Sequence, residues 1–358
     1  MSTSTTLARC PRAVALAPTG LIVASLALAS LLAPRAGECA TQADARSSES
    51  LTLTVENDVF TGSDNNYTNG LGVTWVSSEL GSYNDSSFLS KWGKFWSFLP
   101  FVEDAGYETY ASWSLAQEMY TPDDISIPNP PTDDQPYAGV LYLDSVLYAR
   151  KDRWVHAWEL KLGVVGPASR AEHTQKDFHD LIGGQEPMGW DTQLPSEPVI
   201  NLGYTAAHLL TQGHAGGSAQ WRLVPVASAS VGTYFTGLGL GMYGEIGWNL
   251  VDALGGTSLR EGLNAASTVG VGHVDGWSVA FFGGVGGYGV AHYLPLDGTV
   301  FKDSRSVDSE PFVGMGSLGM NVRHDGLVLS LATTFYTDTF KTQRASSDFG
   351  TLSVSWLF

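Results

Sequence analysis

Side chains of alternating character recur along this chain in many segments of about ten residues, each with one apolar and one polar face. Leu51, Leu53 and Val55 alternate with Thr52, Thr54 and Glu56. Leu71, Val73 and Trp75 alternate with Gly72 and Thr74, and Trp158, Leu160 and Leu162 with Glu159 and Lys161. The pattern returns from Leu238 to Asn249, again from Leu327 to Tyr336, and last in Leu352, Val354, Trp356 and Phe358. Successive strand residues point to opposite sides, so one face of each segment suits hydrocarbon and the other a polar interior. After residue 45 no run reaches the roughly 18 apolar residues of a membrane helix. Strands that cross a bilayer must satisfy every backbone group among themselves, and only a closed barrel does so. The expected fold is all-β: a transmembrane antiparallel β-barrel of about 12 strands.

Composition agrees. Charged residues make up 15% of the chain, against about 25% in soluble domains. A net charge of -17 argues against a nucleic-acid partner, which needs clustered Lys and Arg. It suits divalent cations, or serves solubility alone. The aromatic last residue, Phe358, resembles the assembly signal of bacterial outer-membrane proteins. The first 40 residues read as a secretory leader: Arg9 and Arg12, an uncharged apolar run, then small residues. Cleavage is expected between about 36 and 43, with an uncleaved anchor as the alternative. Both cysteines, Cys10 and Cys39, lie in or beside this leader. The barrel at 45–358 therefore has no disulfide, thiolate-zinc site or thiol nucleophile.

The alternation places strands near 50–58, 67–78, 108–120, 136–150, 153–165, 198–210, 218–232, 235–250, 275–290, 310–323, 326–338 and 347–358. With both termini periplasmic, Lys151-Asp152 and His324-Asp325-Gly326 read as tight periplasmic turns. Two periplasmic connections, 79–107 and 251–274, are long for that side. The first carries Trp92, Phe95, Trp96, Phe98 and Phe101, the make-up of an interfacial amphipathic segment. A short extracellular helix is expected at 169–183, with Ser169 as N-cap, Glu172 in its first turn and a Gly183-Gly184 stop.

Odd-numbered strands run outward. Glu56-Asn57-Asp58, Tyr67-Thr68-Asn69-Gly70, Gln117-Glu118-Met119-Tyr120 and the helix carrying His179 therefore gather on one extracellular rim. A neutral histidine can activate water. Asn and Asp oxygens are hard ligands suited to calcium, and a bound cation polarises an ester carbonyl. Each residue also has a plainer reading: His179 as helix surface, Asn57 and Asp58 as turn formers, Thr68 as a strand residue, Gln117 as lumen filling.

At these positions the chain resembles the lipid A 3′-O-deacylase family of outer-membrane barrels. The resemblance rests on Val55-Glu56-Asn57-Asp58, Tyr67-Thr68-Asn69-Gly70-Leu71, Ala116-Gln117-Glu118-Met119-Tyr120-Thr121-Pro122 and Pro136-Tyr137-Ala138-Gly139. It continues through Gly163-Val164-Val165-Gly166-Pro167, His179-Asp180-Leu181-Ile182-Gly183 and Gly189-Trp190-Asp191-Thr192-Gln193-Leu194. It implies a twelve-stranded barrel in the outer membrane, with its site between wall and helix, that hydrolyses the 3′ acyl esters of lipid A. It implies His179 as the base, Asp58 with Asn57 as the calcium and oxyanion region, Thr68 as a further residue of the site, and Gln117 and Gln185 in support. Calcium is the implied cofactor and lipopolysaccharide the implied partner; a monomer is expected. The chain departs from the family pattern in two places. No Lys occurs between Thr121 and Gln135, where Asp123 and Asp124 stand. Gln185, followed by Glu186, stands where an acidic residue is expected after the histidine. The alternatives are an outer-membrane phospholipase, for which no His-x-Ser-Asn-Gly stretch is found, and a passive barrel with Glu159, Lys161, Arg222 and Glu245 lining a lumen.

Overall fold

A computed structural model describes residues 49–61, 66–80, 89–102, 104, 106–216, 218–251 and 276–358. The expected leader at 1–40 lies outside these residues, as does the connection at 251–274 apart from Val251. The strands are β1 (Ser50–Asn57), β2 (Asn66–Val76), β3 (Glu108–Thr121), β4 (Ala138–Lys151), β5 (Trp154–Val165), β6 (Glu197–His208) and β7 (Thr211–His214). They continue as β8 (Ala219–Gly232), β9 (Phe235–Trp248), β10 (Trp277–Tyr293), β11 (Phe312–His324), β12 (Leu327–Tyr336) and β13 (Asp348–Leu357).

Every neighbouring pair is antiparallel, and β1 pairs with both β2 and β13. β6 pairs with β8 as well as β5, which closes the sheet into a barrel. β6 meets β8 at Ala207↔Val226, and β7 meets it at Thr211↔Leu223. These registers differ by one residue, so β6 and β7 form a single stave interrupted at Leu209 and Leu210. The closed barrel has twelve staves, as the alternation predicts, and the split stave is what a pattern of two could not reveal. The two tight turns are also present. Lys151 pairs with Trp154 and His324 with Leu327, with Asp152 and Asp325 at positive φ.

Ser50 pairs with Leu357, so both ends of the barrel chain lie at one rim, the periplasmic one for a barrel of this kind. Between β2 and β3, at that rim, helix α1 (Leu89–Trp96) and the turn after it lie against the outside of the wall. Trp96 and Val102 are buried with Ala111 and Leu147. Ala111 shares its face of β3 with exposed Leu115, and Leu147 shares its face of β4 with exposed Leu143. Trp92 donates to Ser145 Oγ at 2.9 Å and Trp158 to Pro100 O at 3.0 Å. The expected interfacial segment is therefore an aromatic strap on the wall, with Phe95 and Phe98 facing outward.

The inward faces fill the lumen. Toward the extracellular end Glu118 accepts hydrogen bonds from Tyr120, Tyr142 and Tyr234, and Glu56 accepts from Tyr67 at 2.6 Å. Lys161 is buried with its ammonium 3.7 Å from the Tyr142 ring centre, a desolvated cation–π contact. Nearer the periplasm Arg222 pairs with Glu245 at 2.5 Å. Lys161, Arg222 and Glu245 do face the lumen, but packed and paired.

Candidate functional site

The outer face of the wall carries a polar cluster at the extracellular rim. Asn57 ends β1 on the face of Leu53 and Val55, and its strand register sets it opposite Asn69 of β2. Thr68 is the extra residue of a β-bulge: Tyr67 pairs with Tyr120 and Asn69 with Met119. Bulges re-aim a side chain and break local pairing. Thr68 uses that freedom twice. Its carbonyl accepts from Asn57 Nδ2 at 3.0 Å, and its hydroxyl meets the Thr121 hydroxyl at 2.6 Å. Asp58 follows in a single 3-10 turn, fully buried, with its carbonyl capped by the Thr61 hydroxyl at 2.7 Å. Asn69 is buried, and its Oδ1 has no hydrogen-bond partner among the described residues.

Helix α2 (Ala171–Ile182) is the second half of the site. Its buried positions Ala171, Gln175 and His179 are four apart and so form one stripe along the helix. Ala171 packs with Met119, Ile125, Tyr137 and Trp190. Gly139 on β4 lets the helix approach, because a Cβ there would lie 2.2 Å from that of Ala171 and 2.5 Å from Ser169 Oγ. Gln117 Nε2 donates to Ser169 O at 2.6 Å. Ser169 is not the N-cap. It closes a 3-10 turn at Gly166–Ser169, and Arg170, left-handed at φ 63°, takes the cap position with no side-chain bond. Glu172 pairs instead with Lys176 at 2.8 Å. The left-handed Gly183 ends the helix as expected.

His179 is buried at the end of the stripe, its Nδ1 hydrogen-bonded to the Gln185 carbonyl. A carbonyl only accepts, so Nδ1 carries the proton, and in the neutral ring Nε2 is left with the lone pair. Gly184 turns the chain across the ring, where a Cβ would stand 3.2 Å from it. Gln185 thus meets the imidazole through its main chain, and its residue is exposed.

Asn57 and Thr68 thus meet in one cluster, with Asp58 next in the chain, and His179 sits with Gln175 on the helix, against the Gln185 carbonyl beyond its end. Among the described residues no hydrogen bond runs from His179 to Asn57, Asp58 or Thr68. The outer face of β3 joins the two halves: Thr121 holds Thr68, while Met119 and Gln117 hold α2. Two residues escaped the sequence reading. Gln175 lies one turn before His179, and its Oε1 accepts from Trp190 Nε1 at 2.7 Å. Its buried Nε2 is without a partner among the described residues. Asn69 follows from hairpin register once Asn57 is chosen. The loop after β3 is acidic, as expected. Burial, then the neighbouring Asp134, raises the Asp123 carboxyl above its ordinary range, and Arg344 opposes them. Ser126 hydrogen bonds hold exposed Asp124 below it.

A closed antiparallel barrel with both ends of its strand order at one rim, and a polar cluster and a helix on the outer wall at the other, defines a bacterial outer-membrane protein. The family model of the outer membrane protein LpxR matches residues 21–358, and the chain belongs to that family of lipid A-related outer-membrane enzymes. Among solved structures it is similar to LpxR from Salmonella typhimurium, with TM-score 0.67 and 18% identity over 86% of this chain and 100% of that one. At that identity the likeness is one of fold. The β domain of the Bordetella autotransporter BrkA aligns at TM-score 0.40 and 8% identity, over 88% of this chain and 99% of that one. No curated protein matches.

Proposed function

We propose that this protein hydrolyses ester-linked acyl chains of lipid A, at the 3′ side, in the outer leaflet. The observation that carries the reading is His179: a buried imidazole with Nδ1 committed to a carbonyl, on a helix clamped to the outer face of the strand that also holds the Asn57–Thr68 cluster. Its Nε2 takes a proton from water, and the hydroxide so formed adds to the acyl carbonyl. The tetrahedral intermediate collapses, and the protonated imidazole returns the proton to the departing sugar oxygen, releasing a fatty acid and a free hydroxyl. A base so placed contributes about 10²–10⁴-fold.

The developing oxyanion needs donors already in place. Gln175 Nε2, its amide oriented by Trp190, supplies one. Asn57, Asp58 and Asn69 present the hard oxygens that calcium prefers, and the buried Asn69 Oδ1 with no protein donor fits such an ion. Bound there, calcium supplies polarisation of the ester carbonyl. Thr68 keeps Asn57 in place, and Gln117 keeps the helix on the wall.

The test is mass spectrometry of lipid A from cells that express the protein with calcium. Wild type is expected to remove acyl chains, and His179→Ala to leave the full pattern. Identical patterns from the two overturn the proposal.

A further inference from the structure

Far from this site, the periplasmic end of the lumen contains a cavity of about 50 Å³ that nothing above uses. Its lining includes Arg222, Glu245, Ser278, Asn321, Arg323 and Ser330. Arg222 is bonded through all three nitrogens and keeps two further N–H donors: it binds Glu245 through Nε and Nη2 at 2.7 and 2.5 Å, and Val251 O through Nη1 at 3.0 Å. Arg323 is not. Its residue is 7% exposed, and its Nη1 is buried with no hydrogen-bond partner among the described residues. The charged groups acting on it are Glu245, which attracts, and Arg222, which repels.

A buried guanidinium donor without a partner is rare enough to demand an explanation. Two guanidiniums face one carboxylate, and Arg222 already engages that carboxylate. Among the described residues the cavity therefore holds one uncompensated positive charge beside an unfilled donor. Water satisfies a donor but leaves the charge. An anion meets both demands, and the hydroxyls of Ser278 and Ser330 and the Asn321 amide offer it further donors. The volume admits an ion of halide size.

We propose that this vestibule is a binding site for a small monovalent inorganic anion, held by Arg323 with Arg222. The probe is bromide, used on the folded barrel in detergent micelles. Crystals grown in bromide are expected to show an anomalous peak between the two guanidiniums. The thermal unfolding midpoint is expected to be higher in sodium bromide than in sodium gluconate of equal ionic strength. Arg323→Gln is expected to lose both the peak and the bromide-specific shift. Asn321→Leu, which keeps both arginines, is expected to reduce the shift and serves if the first variant does not fold. Water alone in the cavity overturns the proposal, as does a bromide shift that survives Arg323→Gln. A peak with no shift in solution marks an adventitious ion only, and overturns it too.

Discussion

A histidine becomes a directed base when one of its nitrogens is committed elsewhere. Here the committed partner is the main chain at Gln185, in a loop that Gly183 and Gly184 allow to fold across the ring. The side chain at 185 is exposed and takes no part. Gln185→Ala is therefore expected to keep deacylation within about twofold of wild type, the range of an ordinary surface change of about 0.5 kcal/mol. A loss as deep as that of His179→Ala, read in the same lipid A assay, sinks the main-chain role. Asp123 shows the opposite kind of residue effect. Burial and Asp134 raise its carboxyl above the unfolded value of 3.8, so the folded chain binds its proton more tightly than the unfolded chain. The destabilisation is absent below pH 3.8, grows as pH rises from 3.8 to the folded value and is complete above it. Asp123→Asn is expected to raise the unfolding midpoint modestly at pH 7 and to lose that advantage as pH falls toward 3.8. A constant difference across that range refutes the assignment.

At the level of elements, the site depends on how closely α2 lies on the wall. Gly139 sets that distance, since any side chain there meets Ala171 and Ser169. Gly139→Val is expected to push the helix outward while leaving the barrel folded. A displacement on the order of 1 Å costs about 100-fold in turnover. The check is deacylation rate against barrel folding, read as the mobility difference between heated and unheated protein on gels; unchanged rate with a folded barrel rejects the clamp. Helix α2 was legible from its Gly-Gly stop, but its start was not. Ser169 looked like a cap because serine commonly caps helices, whereas a left-handed Arg170 and the preceding 3-10 turn settle where the helix begins. The strap at α1 was legible as aromatic. That it grips the outside of the wall follows from Trp92 and Trp96 meeting residues of β3 and β4, and from Trp158 of β5 donating to Pro100.

For the whole molecule, the lumen decides between an open channel and a filled cylinder. Barrels of this size are commonly filled by their own side chains. The Glu118–tyrosine network and the buried Lys161 occupy this one near its extracellular end. Reconstituted in planar bilayers, the protein is expected to show no steady single-channel conductance. Regular open steps that persist in His179→Ala favour the passive-barrel reading.

The sequence by itself determined the barrel, its stave number and the rim on which the polar motifs lie. Those follow from a local period of two and from the demand that backbone groups in lipid be paired. Tertiary structure alone decided the rest: the one-residue break between β6 and β7, the bulge that turns Thr68 onto Asn57 and Thr121, the pairing of Gln175 with Trp190 and the unfilled donor of Arg323. Each depends on register between strands far apart in the chain. A shift of one residue there changes which side chains meet and leaves the local alternation unaltered.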